Sequence, residues 1–541
     1  MDTKEIIKKE NKAIKFIIVS VLIITVISLI GVAFARYITS INGNASMDIA
    51  KWSFNYKILD STQTEEVDNF AVTRTDNNAD VDSSTIAPGT SGEFIIEIDA
   101  TGTETLLTYD TIITFTNKPT NLNFYSDSQK TQPIIIENNR YLNFNGFMSL
   151  TDNKKIDIPV YWEWPLETGN TEKEIEDNDV EDTSFIGKTM SMQIATTGRQ
   201  VMENPYANSV ASTTINGVVT RYNSVQAAID AAGTNEGAIV TVIANNTTET
   251  ITIGANQNII LNTNGKVLTS TGKTITNSGI LKVVGNGTVS STASNIVTID
   301  NFNKLELGVC SINSVNYMAL NNRQNAQIVI NSTNINAKGN VIYNQSNLST
   351  EENPAIKIIN GRLICNDNYY FIYSNSSGTI VVLNGNITGG IQNDGNENII
   401  IYGGSITTTK GHGIRNNHGY VKFYGGELTS TSQDGIWSVN SDSKVLITGG
   451  RIKGKTSGIT GNGEKIIGIN DGKVNQEIPV IICTDGSGIA GSGRLSYFDG
   501  IIKARGTSII STIAEQPTGY TLTATTETID GAQYNVTYWS K

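Results

Sequence analysis

The second half of this chain of 541 residues repeats an apolar triplet with fixed internal spacing, and that repeat constrains the fold more tightly than any other feature. A hydrophobic residue preceded five and seven places earlier by two more recurs at Ile312, Ile335, Leu363, Ile387, Ile406, Leu428, Ile452, Val474 and Ile502, at intervals of 23, 28, 24, 19, 22, 24, 22 and 28 residues. From Leu363 onward a glycine stands two places before each: Gly361, Gly385, Gly404, Gly426, Gly450, Gly472 and Gly500. The residue before that glycine is Asn, Asp or Gly, types that tolerate a left-handed backbone. Each copy therefore reads as strand, sharp corner, strand. Repeats of about 20 to 25 residues with a fixed corner specify a β-solenoid, whose coils each add one rung to a shared core. Two looser copies end at Val267 and Val289, which brings the expected number of coils to eleven. Gly426 occupies the recurring corner, whereas Gly395 lies in a variable stretch outside the register, so a valine is expected to do more damage at Gly426 than at Gly395.

The charge distribution divides the rest. Residues 1–35 carry a net +2, residues 36–205 carry −15, residues 206–505 carry +3 and residues 506–541 carry −2. An acidic unit joined to a nearly neutral solenoid has no clustered Lys and Arg to engage phosphates, which excludes nucleic acid as a partner. Residues 16–34 are almost uninterruptedly apolar and follow Lys4, Lys8, Lys9, Lys12 and Lys15. As a helix they would span about 28 Å, close to a hydrocarbon core. The positive flank keeps the N-terminus cytoplasmic and sends the rest outside. The Ala33-Phe34-Ala35 string also fits a signal-peptide cleavage site after Ala35, so the segment is either a single-pass anchor or a removed signal. Both place the remainder at the extracellular face of the membrane or beyond it.

Residues 36–205 alternate apolar and polar residues in short runs, such as Phe94, Ile96 and Ile98, separated by turn segments like Ala87-Pro88-Gly89. That pattern predicts antiparallel strands in a β-sandwich. The acidic stretch Glu172, Glu174, Glu176, Asp177, Asp179, Glu181 and Asp182 lacks the glycine spacing of a calcium loop and is expected to be a solvated loop. Residues 206–505 form the expected solenoid and residues 506–541 a β cap at its far end. At the near end, Ser224 is placed to cap a short helix whose apolar face, Val225, Ala228, Ile229 and Ala232, covers the first rung. Pro354 and Pro479 fall inside the two 28-residue intervals, where loops should leave the coil. Cys310, Cys365 and Cys483 are far apart, without C-x-x-C spacing, and read as small core residues.

Stacking equivalent positions on adjacent coils brings chemistry together. His412 and Asp434 each lie six places after a ladder residue, and Arg415 and Trp437 nine places after, so each pair should sit about 4.8 Å apart. His412 with Asp434 has the composition of an acid–base pair, and Arg415 with Trp437 that of a cation–π pair or sugar platform. These four are the candidate glycan-binding residues. Tyr402 and Tyr424 stack by the same rule. No catalytic set is complete: the solenoid has no Asp-Asp pair, and the only two histidines, both in the solenoid, exclude an H-E-x-x-H zinc site. No metal site and no cofactor motif is found.

Two resemblances accompany these readings. Ala35-Arg36-Tyr37 through Phe54, "IAPGTSGEFIIEIDATGTE" at 86–104, "YWEWPLETG" at 161–169 and "NDVEDT" at 178–183 resemble exported Firmicute surface proteins of the TasA and camelysin type. That implies a jelly-roll sandwich and a matrix or cell-surface setting. Residues 215–539 resemble the right-handed parallel β-helix of pectate-lyase-like proteins, which includes adhesins and polysaccharide-acting enzymes. Gly411-His412-Gly413 and Arg451-Ile452-Lys453 are similar to two polygalacturonase strings, but the register puts them on different strands. The expectation is an all-β, exported, non-enzymatic surface protein that presents a β-helix rod for adhesion or matrix assembly, with extracellular polysaccharide or surface proteins as partners. The alternative is a polysaccharide hydrolase or lyase acting on one face of the rod.

Overall fold

Between Ala238 and Glu515 the chain winds through three sheets in turn, and each coil contributes one strand to each until the last, which reaches the third sheet only through a bridge at Ile509. The computed structural model describes residues 50–541 apart from 60–64, 67–72, 83–84, 170–171, 368–369 and 476. The apolar run 16–34 lies outside the described residues, and no helix among those described is long and apolar enough to cross a membrane. In chain order we call the sheets face A, which begins at Ala238–Val242, face B, which begins at Asn246–Thr248, and face C, which begins at Ile251–Ile253. They contain 15, 14 and 11 strands, with parallel pairing from coil to coil. The result is a right-handed-like β-solenoid of about 12 turns. At the strand spacing of a sheet, 12 rungs extend about 53 Å.

The apolar triplet explains the wall. Val445 and Ile447 point inward from face A and Ile452 from face B, and all three are buried in one continuous core. The ladder pairs Ile312 with Ile335, then Leu363, Ile387, Ile406, Leu428 and Ile452, as the spacing predicts. The next member is Ile481, which pairs with both Ile452 and Ile502, and not Val474. Val474 mimicked the pattern because it follows Ile467 and Ile469 at the right distances. Ile469, however, is 59% exposed, since the chain leaves the wall after Ile467 and returns at Val480. A lysine at one inward position of that coil, Lys465, also hides its apolar signal. The first looser copy shifts by one residue: Leu268 joins the ladder opposite Val289, while Val267 pairs with Thr288. One further rung, Thr247 opposite Leu268, precedes it, so face B has 12 parallel strands rather than eleven.

The left-handed conformation falls on the corner glycines themselves, with Gly426 at φ 84°, and not on the Asn, Asp or Gly before them from which the corner was read. A Cβ there would crowd the backbone of Gly403 and the carbonyl of Gly404 on the preceding coil. Gly395 proves equally intolerant: its Cβ would run into the carbonyl of Ser376, because it lies under the neighbouring coil rather than in a free loop. The loop around Pro354 folds back along the rod. Thr379 donates to the carbonyls of Leu348 and Ser349, and the Tyr402 hydroxyl reaches Glu351. Tyr402 itself stacks on Tyr424 at 5.1 Å.

Both ends of the rod are closed. The helix Val225–Ala232 is capped by the Ser224 hydroxyl, which accepts from the Ala227 amide, and buries Val225, Ala228, Ile229 and Ala232. At the far end the hairpin Thr521–Ile529 and Ala532–Ser540 continues face B antiparallel from Ile501–Ala504. It inserts Trp539, whose Nε1 donates to the Tyr497 carbonyl at 3.0 Å.

Upstream, a six-stranded and a three-stranded antiparallel sheet enclose a second core around Phe94, Ile96, Leu107, Ile113, Phe124 and Trp162. Residues Trp52–Lys541 form one compact unit. Glu137 of the sandwich accepts from the amides of Asn216 and Gly217 at 2.8 and 2.9 Å, which fastens the hairpin turn at the head of the solenoid. The acidic stretch expected to be a loop is the helix Glu172–Thr183. It contains no Gly or Pro to stop it, and the i, i+4 pair Asn178 and Asp182 is buried against the side-chain amide of Asn121. Among the described residues no group of acidic, His or Cys side chains could hold a metal ion. Cys310, Cys365 and Cys483 are buried and form no disulfide with one another, and burial pushes the Cys310 thiol up to about 12.

Candidate glycan-binding face

Face C alternates side chains between the inside of the coil and solvent. The inward row after the ladder apolar residue is Asn277, Asn301, Asn322 and Asn344, then Ser374, Asn393, Asn416 and Ser438. The buried amides serve the carbonyls of the corner from face C to face A, except Asn344, which donates to the hydroxyls of Ser374 and Ser376. Asn322 Nδ2 donates to Asn344 Oδ1 and to the carbonyls of Ala326 and Ala355, all at 3.0–3.1 Å, and its Oδ1 accepts from Asn301. Where asparagine is missing, other groups fill the corner. Glu397 accepts from Ser374 Oγ at 2.6 Å, and Lys465 Nζ donates to the carbonyls of Gly461 and Gly463 at 2.8 and 3.1 Å. Burial drives the Glu397 carboxyl well above its ordinary value and presses the Lys465 ammonium down to about 8.

The outward row one residue earlier is Asp300, Asn321, Tyr343, Tyr373, Gln392, Arg415, Trp437 and Thr460, in register from coil to coil. The four residues singled out from the sequence meet here. His412 and Trp437 pack with ring centroids 4.7 Å apart, and the Arg415 guanidinium lies 5.2 Å from the Trp437 ring. His412 Nδ1 comes within 3.0 Å of Asp434 Oδ2, with side chains only 12% and 11% exposed. That approach is ion-pair proximity, since Nδ1 has no aligned hydrogen bond. The Asp434 carboxylate is instead held by Thr456 Oγ1 at 2.5 Å. Arg415 Nε is likewise buried without a partner, and the nearest carboxylate oxygen, on Asp394, is 3.9 Å from Nη1.

The strip continues beyond those four, which sequence reasoning missed. Asp394 accepts from Gln392 at 2.9 Å and from Asn417 at 2.7 Å. Tyr373 stacks on Tyr343 with centroids 5.5 Å apart and planes at 17°. Burial, then the neighbouring Asp394 carboxylate, raises the Tyr373 hydroxyl. Further along, Arg323 grips Asp300 through Nε and Nη2 at 2.7 and 3.1 Å, and Lys273 adds a third contact at 2.6 Å. Burial works to raise Asp300, but those hydrogen bonds outweigh it and hold the carboxyl low. An open groove of about 520 Å³ runs beside the strip from Asn347 past Asp394 to His418 and Asp442. His418, the other histidine, is fully engaged, with Nδ1 2.8 Å from Asp442 and Nε2 3.1 Å from Asn440. The signal for the row from Asp300 to Trp437 was present as a dipeptide: each outward side chain immediately precedes an inward Asn or Ser, as in Tyr343-Asn344, Gln392-Asn393 and Trp437-Ser438, and only Thr460 precedes a glycine.

A cleft of about 570 Å³ also lies between the sandwich and the solenoid head, lined by Tyr109, Asn143, Arg221 and Thr241 among others. It is larger, but its one cation is already occupied by Asn145 and by the Tyr206 ring. The strings Gly411-His412-Gly413 and Arg451-Ile452-Lys453 fall on different faces, with Arg451 on face B opposite Glu427. Comparison with known proteins adds no relative: no family model matches the chain, and no curated protein or solved structure matches it.

Proposed function

We propose that this chain is an exported cell-surface rod that binds an extracellular glycan along face C and contributes to adhesion or matrix, without turnover. The observation that carries the reading is the outward row. Aromatic rings, amides and charged groups stand in register on consecutive coils, and the ring and guanidinium at its centre have polar neighbours left without partners. Sugars are recognised by ring faces that stack and polar groups that fix orientation. Export rests on the apolar run 16–34 and its lysine flank, with the N-terminus cytoplasmic if the segment is retained and the rod secreted if it is cleaved. The TasA- or camelysin-like jelly roll and the four-segment division at 35, 205 and 505 rest on the sequence alone.

The disposition of carboxylates favours binding over hydrolysis. Glycoside hydrolysis needs two converging carboxyl groups, one of them with a raised pKa to act as an acid. Among the described residues the carboxyl driven upward is Glu397, which is fully buried inside the coil and faces Ser374. A glycan array probed with the full chain, followed by a reducing-end assay on each bound polymer, tests this. The expected outcome is a bound glycan, no product, and weaker binding by the His412→Ala/Asp434→Ala double variant. Product formation that the double variant abolishes would establish the hydrolase or lyase reading instead.

A further inference from the structure

The far end of the rod terminates in an edge strand built to pair with itself. Thr521–Ile529 is the last strand of the 14-stranded sheet, and among the described residues its only strand partner is Ala532–Ser540. The turn between them is Asp530-Gly531, both at positive φ, 50° and 74°. A two-residue turn with both residues left-handed makes Ile529 and Ala532 a hydrogen-bonded pair. Every second residue back from Ile529 then spends its amide and carbonyl on the partner strand. Leu522, Ala524, Thr526 and Thr528 point theirs to the free side, and all four are exposed. Native edges are normally blunted by Lys, Pro, a bulge or a covering element. This one has no Lys or Pro and pairs without a register shift.

We propose that this edge docks a second copy of the chain, antiparallel, through a two-fold axis at Thr525. Centred there, Leu522 pairs with Thr528 of the partner strand and Ala524 with Thr526, so all four free residues are used and about eight main-chain hydrogen bonds form. Registers centred elsewhere leave at least one of the four unpaired. A two-fold at Glu527 would also set that carboxylate against its own copy, a like-charge pair that destabilises. In the Thr525 register Glu527 meets Thr523, and Lys503 already neutralises it at 2.6 Å. Self-complementarity of position and of charge is why the occupant is the same chain rather than a foreign strand. An isologous pair of this kind closes on itself and yields a dimer rather than a fibre. It joins two rods tail to tail, with the sandwich ends pointing away from each other. Bridging of two facing surfaces by that dimer rests on the surface reading above, whereas the pairing does not.

Thr525 sits at a non-hydrogen-bonded pair on the axis, where the two Cα atoms are about 4.5 Å apart and within reach of a disulfide. The native cysteines are buried and contribute no background. Mild oxidation of the full chain carrying Thr525→Cys should yield at least about tenfold more covalent dimer than Thr521→Cys, whose copy lies at the opposite end of the pair. Thr526→Pro removes an amide from the free side and none from the hairpin, so it should shift the chain from dimer to monomer in analytical ultracentrifugation while leaving the melting temperature in place. Equal cross-linking of the two cysteine variants, no cross-linking of either, or a monomeric parent chain would overturn the proposal. None of these outcomes depends on glycan binding.

Discussion

The two rows of face C differ by one residue in sequence and belong to opposite regimes of polar chemistry. Inside, Asn277, Asn301, Asn322 and Asn344 hand hydrogen bonds from coil to coil and to corner carbonyls, so that a line of buried amides is satisfied within the wall. Outside, the Nε of Arg415 and, beside the row, the Oδ1 of Asn417 are buried without partners, and the Nδ1 of His412 faces the Asp434 carboxylate without an aligned hydrogen bond. A polar group withdrawn from water without a partner costs about 1–3 kcal/mol, so the inner row serves the fold and the outer row is maintained at its expense. The difference separates residues whose loss unfolds the rod from residues whose loss removes a ligand.

Asn322→Leu attacks that distinction where the effect is largest. It strips donors from three acceptors and an acceptor from Asn301, and should cost about 3–5 kcal/mol in urea denaturation. A loss under about 1 kcal/mol would mean that the inner ladder does not hold the corners. Glu397 gives a smaller and pH-dependent effect. Its folded pKa lies above its unfolded value, so the native state binds more protons and stability falls as pH rises from about 4.5. Glu397→Gln should therefore gain about 1–3 kcal/mol at pH 7 and nothing at pH 4. Lys465 runs the other way. Its folded pKa of about 8 lies below the unfolded 10.5, so its penalty is full below pH 8 and relieved as pH climbs toward 10.5. Lys465→Met should abolish that rise in a pH series of thermal melts. On the outer row, Tyr373→Ala should change stability by no more than about 1 kcal/mol, the size of a cross-strand pair. A larger loss would assign that stack to the fold.

The same contrast explains what could be read without coordinates. The apolar ladder was legible from Ile312 to Ile452 because each coil repeats the same three inward positions, and Ser224 with Val225, Ala228, Ile229 and Ala232 was legible because cap and helical period coincide. Legibility failed wherever one coil solved a shared problem with a different residue type. Lys465 in an apolar position sent the ladder to Val474 instead of Ile481, and Ser374 with Glu397 interrupted the asparagine frame. Gly395 carried no local sign of its crowding, since the carbonyl of Ser376 that forbids a side chain comes from the preceding coil. The four residues around Trp437 were found because fixed offsets translate directly into neighbours. Tyr343 and Tyr373 were not, because they follow Ile335 and Leu363 by eight and ten places, so the corner from face B to face C changes length between those coils and breaks the offset.

Trp437 is the sharpest probe of the outer row, since its ring touches both His412 and Arg415 while its backbone pairs belong to the sheet. Titration calorimetry of the full chain with a glycan found on the array, repeated with Trp437→Ala, measures its contribution directly. Binding should weaken by about tenfold or more, equivalent to roughly 1.4 kcal/mol, with the melting temperature within a few degrees of the parent. Unchanged affinity for a glycan that the parent binds, or a collapse of the melting temperature, would place Trp437 in the wall rather than in a binding face.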